Sequence, residues 1–531
     1  RALPAGASAI PLYPGSDICF EELTKDEIRF IQAEINKTLL LAKKAGADAV
    51  EIHAYGGYLT DRFMTKRWNI RTDEYGGSLE NRMRFLMEII ENTQQSLGKD
   101  FPLIIKYTPS HFLPVEEGYR DFDEGLEITK LLEQSGVHAL HIDAGCHDNW
   151  YMAMPPIYQQ SMSPQMLSCM RVREVTSLPL ISSGRLGDVG KAEAALQNDW
   201  LDIAAIGRGL LADADLPNKV AAHRTDEIRP CISCNEGCIK SVSEGRQIDC
   251  AVNPLTGYET TKQLSTTTPK RILVIGAGPG GCQAAISAKT AGHDVEIWEA
   301  CERLGGNFYN ACMPPFKRDG ARLLEYYATI IDRLGIRIEY MKNATEADVL
   351  AYNADKVIYA AGGTPVRPKS IDGIDNPKVK SATDVLKNHA LIGQNVVIIG
   401  AGLVGCETAV TLAQQGKTIT LIEMADKLLP EPVFVQNLMM LSQLLAHPNI
   451  QARTNTKLTS VTNDAVIVAD NDGEQTIDCD CVILAMGFRA NDALYQALSD
   501  KVDIVQIGDS ISARKVLDAV KEAHEAILQI S

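Results

Sequence analysis

Over roughly the first two hundred residues the spacing of apolar and polar positions alternates between two periods. Five short runs, DAVEIHA (48–54), PLIIKYT (102–108), ALHIDAG (139–145), PLISSGR (179–185) and DIAAIGR (202–208), read as strands that end in polar or glycine residues. Between them, LTKDEIRFIQAEINKTLLLAKKAG and SLENRMRFLMEIIENTQQSLG carry apolar residues at helical spacing, with Thr24 and Ser78 placed to cap their N-termini. Strand, helix, strand in sequence predicts parallel pairing. A uniform series with polar strand ends predicts an α/β fold of the (β/α)8 TIM-barrel type, its active site gathered at the C-terminal face. Five units are visible, so three more, on the order of a hundred residues, are expected ahead of Arg1. The alternative is a smaller open α/β sheet.

Beyond residue 228 the pattern changes. Residues 229–265 hold a cysteine cluster and the start of a Thr-rich linker, TTKQLSTTTPK (260–270). Two copies of one device follow, RILVIGAGPGGCQAA from 271 and NVVIIGAGLVGCETA from 395. In the first copy, Gly276, Gly278 and Gly281 stand between an all-apolar strand and a helix, where they allow a tight turn, close approach of a pyrophosphate and close strand–helix packing. Glu299 ends the next strand, 23 residues after Gly276, placed to accept a ribose hydroxyl. Gly400, Gly402, Gly405 and Glu423 repeat the spacing. The predicted domains are 1–228, 229–265, 270–384 with 480–531, and 385–479. Gly306 in RLGGN, and Asp509 in IGDS, add a second glycine turn and a late acid. This set resembles the two-dinucleotide-domain flavoprotein reductases, in which the first unit holds FAD, the inserted unit holds NAD(P)H and the late acid binds the flavin's ribityl chain. Only Cys312 follows the second glycine turn closely, so dithiol chemistry is not expected. An acid at Glu423 suits a free 2′-hydroxyl, which favours NADH over NADPH although Lys427 is near.

Charge narrows the functional classes. The 531 residues carry a formal net charge of −16, which argues against nucleic acid and anionic membrane surfaces as partners. No apolar run approaches the roughly 20 residues of a membrane span, and a cytoplasmic location is the expectation. Thirteen cysteines, an odd number, do not make a disulfide framework. Four of them, Cys231, Cys234, Cys238 and Cys250, follow a C-x2-C-x3-C-x11-C spacing. Three close thiols and a distant fourth suit an iron–sulfur cubane better than a zinc knuckle pair, with unliganded thiols as the remaining reading.

The whole chain resembles the old yellow enzyme-like NADH:flavin oxidoreductases of the 2,4-dienoyl-CoA reductase, 2-enoate reductase and trimethylamine dehydrogenase group. The likeness is carried by EIHAYGGYLTDRFMTKRWNIRTDEYGGSLENRMRF (51–85), the SGR and GRGLLADADLPNK stretches (183–219), the cysteine run and both nucleotide motifs. It implies an FMN barrel, a 4Fe-4S cluster and an FAD/NAD(P)H module, with electrons passing from NAD(P)H through FAD, cluster and FMN to the C=C bond of an α,β-unsaturated carbonyl, enoate or enoyl-CoA. It places Lys106 at the flavin N1/O2 edge, Arg185 with Gly207 and Arg208 at the FMN phosphate, and Tyr58 and His147 as the proton-delivering pair. His53 remains from the His-x-x-Asn or His-x-x-His pair that binds the substrate carbonyl, but Gly56 replaces its partner. Trp150, Tyr151, Met152, Met154 and Tyr158 either line a substrate pocket or pack a loop on the core. The expected partner is a small molecule with an activated C=C bond, with self-association left open. The alternatives are an amine dehydrogenase of the trimethylamine dehydrogenase type and a non-catalytic redox fragment lacking FMN.

Overall fold

The computed structural model describes residues 4–12, 16–159, 162–387 and 392–530. The chain forms two compact units, one from residues 1–155 and 161–207, the other from 156–160 and 208–531.

In the first unit, strands Val50–Ala54, Leu103–Tyr107, Ala139–Ile142, Leu180–Ser182 and Ile203–Ala204 pair in parallel, each beside the one before it in sequence. These are the five runs read from the sequence. Each of the intervening helices Leu79–Leu97, Phe122–Gln134, Pro164–Arg173 and Val189–Gln197 starts on a side-chain cap, from Ser78, Asp121, Ser163 and Asp188. Helix Lys25–Lys44, ahead of the first strand, starts on a complete capping box between Thr24 and Glu27. Val50, Ile52, Ala54, Leu103, Ile105 and Tyr107 turn one face of the sheet into the apolar core under the helices. Strand pleating sends the intervening residues to the other face. His53 therefore stands in register with Lys106, and Lys106 with His141.

The second unit contains two parallel sheets built to one plan. Arg271–Ile275 lies between Asp294–Trp298 and Lys356–Tyr359, with Arg337–Glu339 and Ile504–Gln506 outside. Asn395–Ile399 lies between Thr418–Ile422 and Cys481–Leu484, with Ile450–Arg453 and Val379–Ser381 outside. The second sheet thus reaches past the sequence boundaries 385 and 479, because Val379–Ser381 pairs with Cys481–Leu484. Residues from 208 onward contact the cysteine segment. The Leu211 carbonyl accepts from Asn253 Nδ2 and Thr256 Oγ1, and Ala212 shares an apolar cluster with Ile232 and Val252. Among the described residues no helix is long and apolar enough to cross a membrane.

The glycines of the two nucleotide motifs are required at different atoms. A Cβ on Gly281 would lie 1.9 Å from the Gly276 carbonyl oxygen, and one on Gly405 the same distance from that of Gly400. Around Gly278 and Gly402, which cap helices Pro279–Ala291 and Leu403–Gln414, a Cβ would meet nothing within 4 Å. That open space faces the amide ends of the helices, the arrangement that receives a phosphate. Gly281→Ala is expected to destabilise the second unit by about 1–3 kcal/mol through forced separation of strand and helix, whereas Gly278→Ala is expected to spare stability and impair nucleotide binding. Thermal unfolding and flavin retention check the pair, and equal stability of the two variants would refute the assignment.

Candidate functional site

The loop after strand Val50–Ala54 is shaped by two glycines with positive φ, Gly56 at 74° and Gly57 at 81°. Gly57 has no space for a side chain: a Cβ would lie 3.0 Å from His147 and 3.1 Å from Trp68. The Gly57 amide donates to Asp61 Oδ2 at 2.8 Å, and the Gly56 carbonyl accepts the His147 amide at 3.0 Å. Asp61 is fully buried; its other partners are Arg120 at 2.9 Å and His111 Nε2 at 3.2 Å. The Arg120 guanidinium leads the partners that hold the Asp61 carboxyl well below the usual range, against burial acting the other way. Burial lowers the His111 pKa, and Arg120 is the foremost balancing charge on Asp61.

This framework presents a series of rings. His53 stands 4.6 Å from Tyr55 and 4.9 Å from Tyr58, Tyr58 lies 4.4 Å from His147, and His147 lies 4.6 Å from Trp150, all between centroids. The three candidates Tyr58, His147 and His53 are thus brought together from positions almost a hundred residues apart. Burial, then the charge of Lys106, lowers the His53 pKa; burial, then Arg62, lowers that of His147. Lys106 pairs with Asp143 at 3.1 Å and stands 4.5 Å over the Tyr55 ring. Tyr58, Arg62, His147, Trp150 and Phe20 line a cavity of about 400 Å³. Of the aromatic stretch after His147, Trp150 lines this cavity, whereas Tyr158 packs in the second unit, where its hydroxyl donates to Glu407 at 2.9 Å.

The phosphate candidates divide. Arg185 has a positive φ of 65° just after Gly184, and a Cβ on Gly207 would meet nothing within 4 Å. Arg208 belongs to the second unit and donates to Asn235 Oδ1 at 2.6 Å, beside the cysteine segment. There it lines an enclosed cavity with all four cysteines, Cys231, Cys234, Cys238 and Cys250. Burial pushes the Cys234 and Cys238 thiols up, and that of Cys250 to about 12. The raised thiols of Cys234, Cys238 and Cys250 stay protonated unless a cationic group binds them. Among the described residues no three His, Cys, Asp or Glu side chains are arranged to hold a single metal ion. The donor set fits a multi-centre cluster by ligand type and convergence.

Glu299 and Glu423 occupy equivalent places. Glu299 accepts from the amides of Ala277 and Cys301 at 2.7 and 2.8 Å; Glu423 accepts from those of Ala401 and Ala425 at 2.7 and 2.9 Å. Each carboxylate therefore closes the glycine turn of its own motif. The turn at Gly306 packs on Gly278, and the Asp509 carboxylate accepts the Arg514 amide at 2.9 Å while burial raises its pKa. Sequence reasoning missed a buried group between the motifs: Lys317 reaches both Glu407 oxygens at 3.0 and 2.9 Å. The only local signal was a charged residue in an otherwise apolar helix start, LVGCE.

Residues 8–227 match the NADH:flavin oxidoreductase / NADH oxidase family, and residues 270–508 match pyridine nucleotide-disulphide oxidoreductases. The chain is 36% identical over 525 residues to the cinnamate reductase of Clostridium sporogenes, covering 96% of this chain and 78% of that protein. It is 35% identical to the NADH oxidase of Thermoanaerobacter brockii over 522 residues, 96% of this chain and 79% of that protein. Among solved structures it is similar to 2-naphthoyl-CoA reductase in complex with 2-naphthoyl-CoA, with a TM-score of 0.92 and 30% identity over 99% of this chain and 80% of that one.

Two outcomes follow from the buried charges. Asp61→Asn leaves Arg120 without its carboxylate and is expected to cost about 3 kcal/mol, read as a lower urea midpoint; a change below about 1 kcal/mol would show that Asp61 does not hold the turn. The folded-state pKa values of His53, His111 and His147 lie below the ordinary 6.5. The unfolded chain therefore binds more protons there, and stability is expected to fall as the pH drops from about 7.5 to about 5.5. Unfolding curves at the two pH values would sink this if stability rose on acidification.

Proposed function

The chain belongs to the old yellow enzyme-like NADH:flavin oxidoreductases that carry a pyridine nucleotide-disulphide oxidoreductase module, and from that premise we propose that it saturates the C=C bond of an α,β-unsaturated carbonyl, enoate or enoyl-CoA at the expense of NADH. As members of that family are, it is an oxidoreductase using FMN on the barrel and FAD with NAD(P)H on the second module. The observation that carries the proposal is the ring series His53, Tyr58, His147 at the ends of parallel strands, one register step from Lys106.

Lys106 is the residue for the N1/O2 edge of FMN, with Arg185 and Gly207 for its phosphate. The open turn at Gly278, with Glu299, Gly306 and Asp509, suits FAD; that at Gly402, with Glu423, suits NADH. Cys231, Cys234, Cys238 and Cys250 are the ligand set for a 4Fe-4S cluster, and Arg208 beside them offsets part of the charge of bound thiolates. Together such groups supply hydride acceptance from NADH, single-electron transfer and hydride delivery to the substrate β-carbon.

The chain's own side chains supply the rest. Tyr58 donates a proton toward the α-carbon, and neutral His147, in ring contact with it, relays a replacement from solvent, taking a proton on one ring nitrogen as it releases one from the other. His53 donates to the carbonyl oxygen as charge develops there, with no second donor at Gly56. Clostridium sporogenes cinnamate reductase and 2-naphthoyl-CoA reductase are both named for compounds that join an aromatic system to a conjugated carboxyl group or its thioester, which makes aryl enoates the first substrates to try.

Anaerobically purified protein is expected to contain about one FMN, one FAD and four irons with acid-labile sulfide per chain. Iron and FAD without FMN would identify a redox fragment, and zinc in place of iron would overturn the cluster. Tyr58→Phe is expected to lower the rate of cinnamate reduction by about 100-fold or more while reduction of the bound flavin by NADH persists. An unchanged turnover would remove Tyr58 from the proton path.

A further inference from the structure

Arg62 is a buried cation beside the proposed proton donor. It is 8% exposed and lies one helical turn after Tyr58, in helix Leu59–Met64. Its Nε donates to the Gly57 carbonyl at 2.7 Å. Its guanidinium lies 4.2 Å from the Phe20 ring centroid and 5.4 Å from that of Trp68. Among the described residues, no acceptor is bonded to its Nη atoms and no carboxylate stands within ion-pairing distance. The nearest acids are engaged elsewhere: Asp61 by Gly57, His111 and Arg120, and Asp148 by the Tyr119 hydroxyl at 2.8 Å. The chain therefore buries a guanidinium, fixes its plane with one backbone bond and aromatic neighbours, and leaves its outer fork without a protein partner. Such a group is expensive unless a ligand completes it.

The fork borders the cavity of about 400 Å³ that Tyr58 and His147 also line, together with the rings of Phe20 and Trp150. A planar fork of N–H donors matches a carboxylate in bidentate fashion, while the aromatic walls suit a flat hydrocarbon body. We propose that Arg62 is the carboxylate anchor of this site, selecting free aryl enoates over neutral enones of the same skeleton. The inference rests on the ene-reductase reading for its substrate class, and it answers the gap left by Gly56: the acid's carbonyl is oriented and polarised by a buried cation instead of a second hydrogen-bond donor. Arg62 is then a specificity-determining residue beside the proton donor. Asp148 also borders the cavity, where its Oδ2 accepts from the Tyr119 hydroxyl and its charge acts on the Arg62 guanidinium without forming an ion pair.

The test uses the holoenzyme and two saturated probes, 3-phenylpropanoate and 3-phenylpropanamide, titrated against the fluorescence of the tryptophans beside the cavity. Wild type is expected to bind the acid more tightly than the amide. Arg62→Gln is expected to weaken acid binding by about 30-fold or more and amide binding by no more than about two-fold, because one bidentate charged pair is lost. Arg62→Lys keeps the charge without the fork and is expected to fall between, by about 5- to 10-fold for the acid. If the glutamine variant does not fold, the lysine variant against wild type decides. Equal weakening of both probes, or no weakening of the acid, would overturn the anchor and leave Arg62 as packing. Steady-state kinetics with cinnamate and 4-phenylbut-3-en-2-one separate the two readings. Acid binding that depends on Arg62 with neither compound reduced would refute the ene-reductase activity and keep the anchor. Reduction of both with acid binding independent of Arg62 would do the reverse.

Discussion

A single buried carboxylate organises the first unit's site. Asp61 holds the Gly57 amide, and through it the turn from which Tyr58 and helix Leu59–Met64 leave the strand. The same turn takes the His147 amide on Gly56, so the loops after the first and third of the five strands are fixed to each other by backbone bonds. Asp61 keeps its charge in the interior only because Arg120 stands 2.9 Å away, with its own Nη1 on the Thr108 carbonyl and Nη2 also on Thr65. An acid, a base and a glycine turn from separate stretches thus fix the ring series to within a hydrogen-bond length, which is the tolerance that proton transfer imposes.

The second unit uses a different constraint, excluded volume. In both nucleotide motifs the third glycine is pressed against the first glycine's carbonyl, and the middle one faces open space. The copies agree in finer detail: Cys282 and Cys406 each direct a thiol to the carbonyl of the alanine five residues before, at 3.2 Å in both. Each motif's acid closes its own turn. The two copies differ where chemistry would differ, since only the second carries the buried Glu407 that meets Lys317 and Tyr158.

What could be read from the sequence follows from how far each signal reaches along the chain. The strands, the caps Thr24 and Ser78, and both glycine motifs are local patterns, and each lies where periodicity and spacing placed it. The cysteine run was also local, and its four thiols share a cavity. His53, Tyr58 and His147 were found through family likeness, because nothing between residues 58 and 147 announces that two loops will meet. Asp61, His111 and Arg120 were missed for the same reason: each is an ordinary charged or polar residue until burial makes it costly. Arg208 was also found through family likeness, and its hydrogen bond to Asn235 is a contact that no local pattern announced. The outer strand Val379–Ser381 lies ahead of the boundary placed at 385, because a three-residue edge strand is too short to show a period.

The electrostatics of the site favour one direction of charge development. Burial and neighbouring cations hold His53 and His147 neutral, so neither imidazole adds positive charge of its own near pH 7. Positive charge comes instead from two fixed groups, Lys106 beside Tyr55 and Arg62 beside Tyr58. Lys106 shares its charge with Asp143, while the fork of Arg62 has no carboxylate partner among the described residues. Neutral donors next to a buried cation stabilise negative charge that appears on a carbonyl oxygen as a hydride adds to the β-carbon, and they do so without reorganising. The same arrangement penalises a reaction that builds positive charge, as oxidation of an amine to an iminium would.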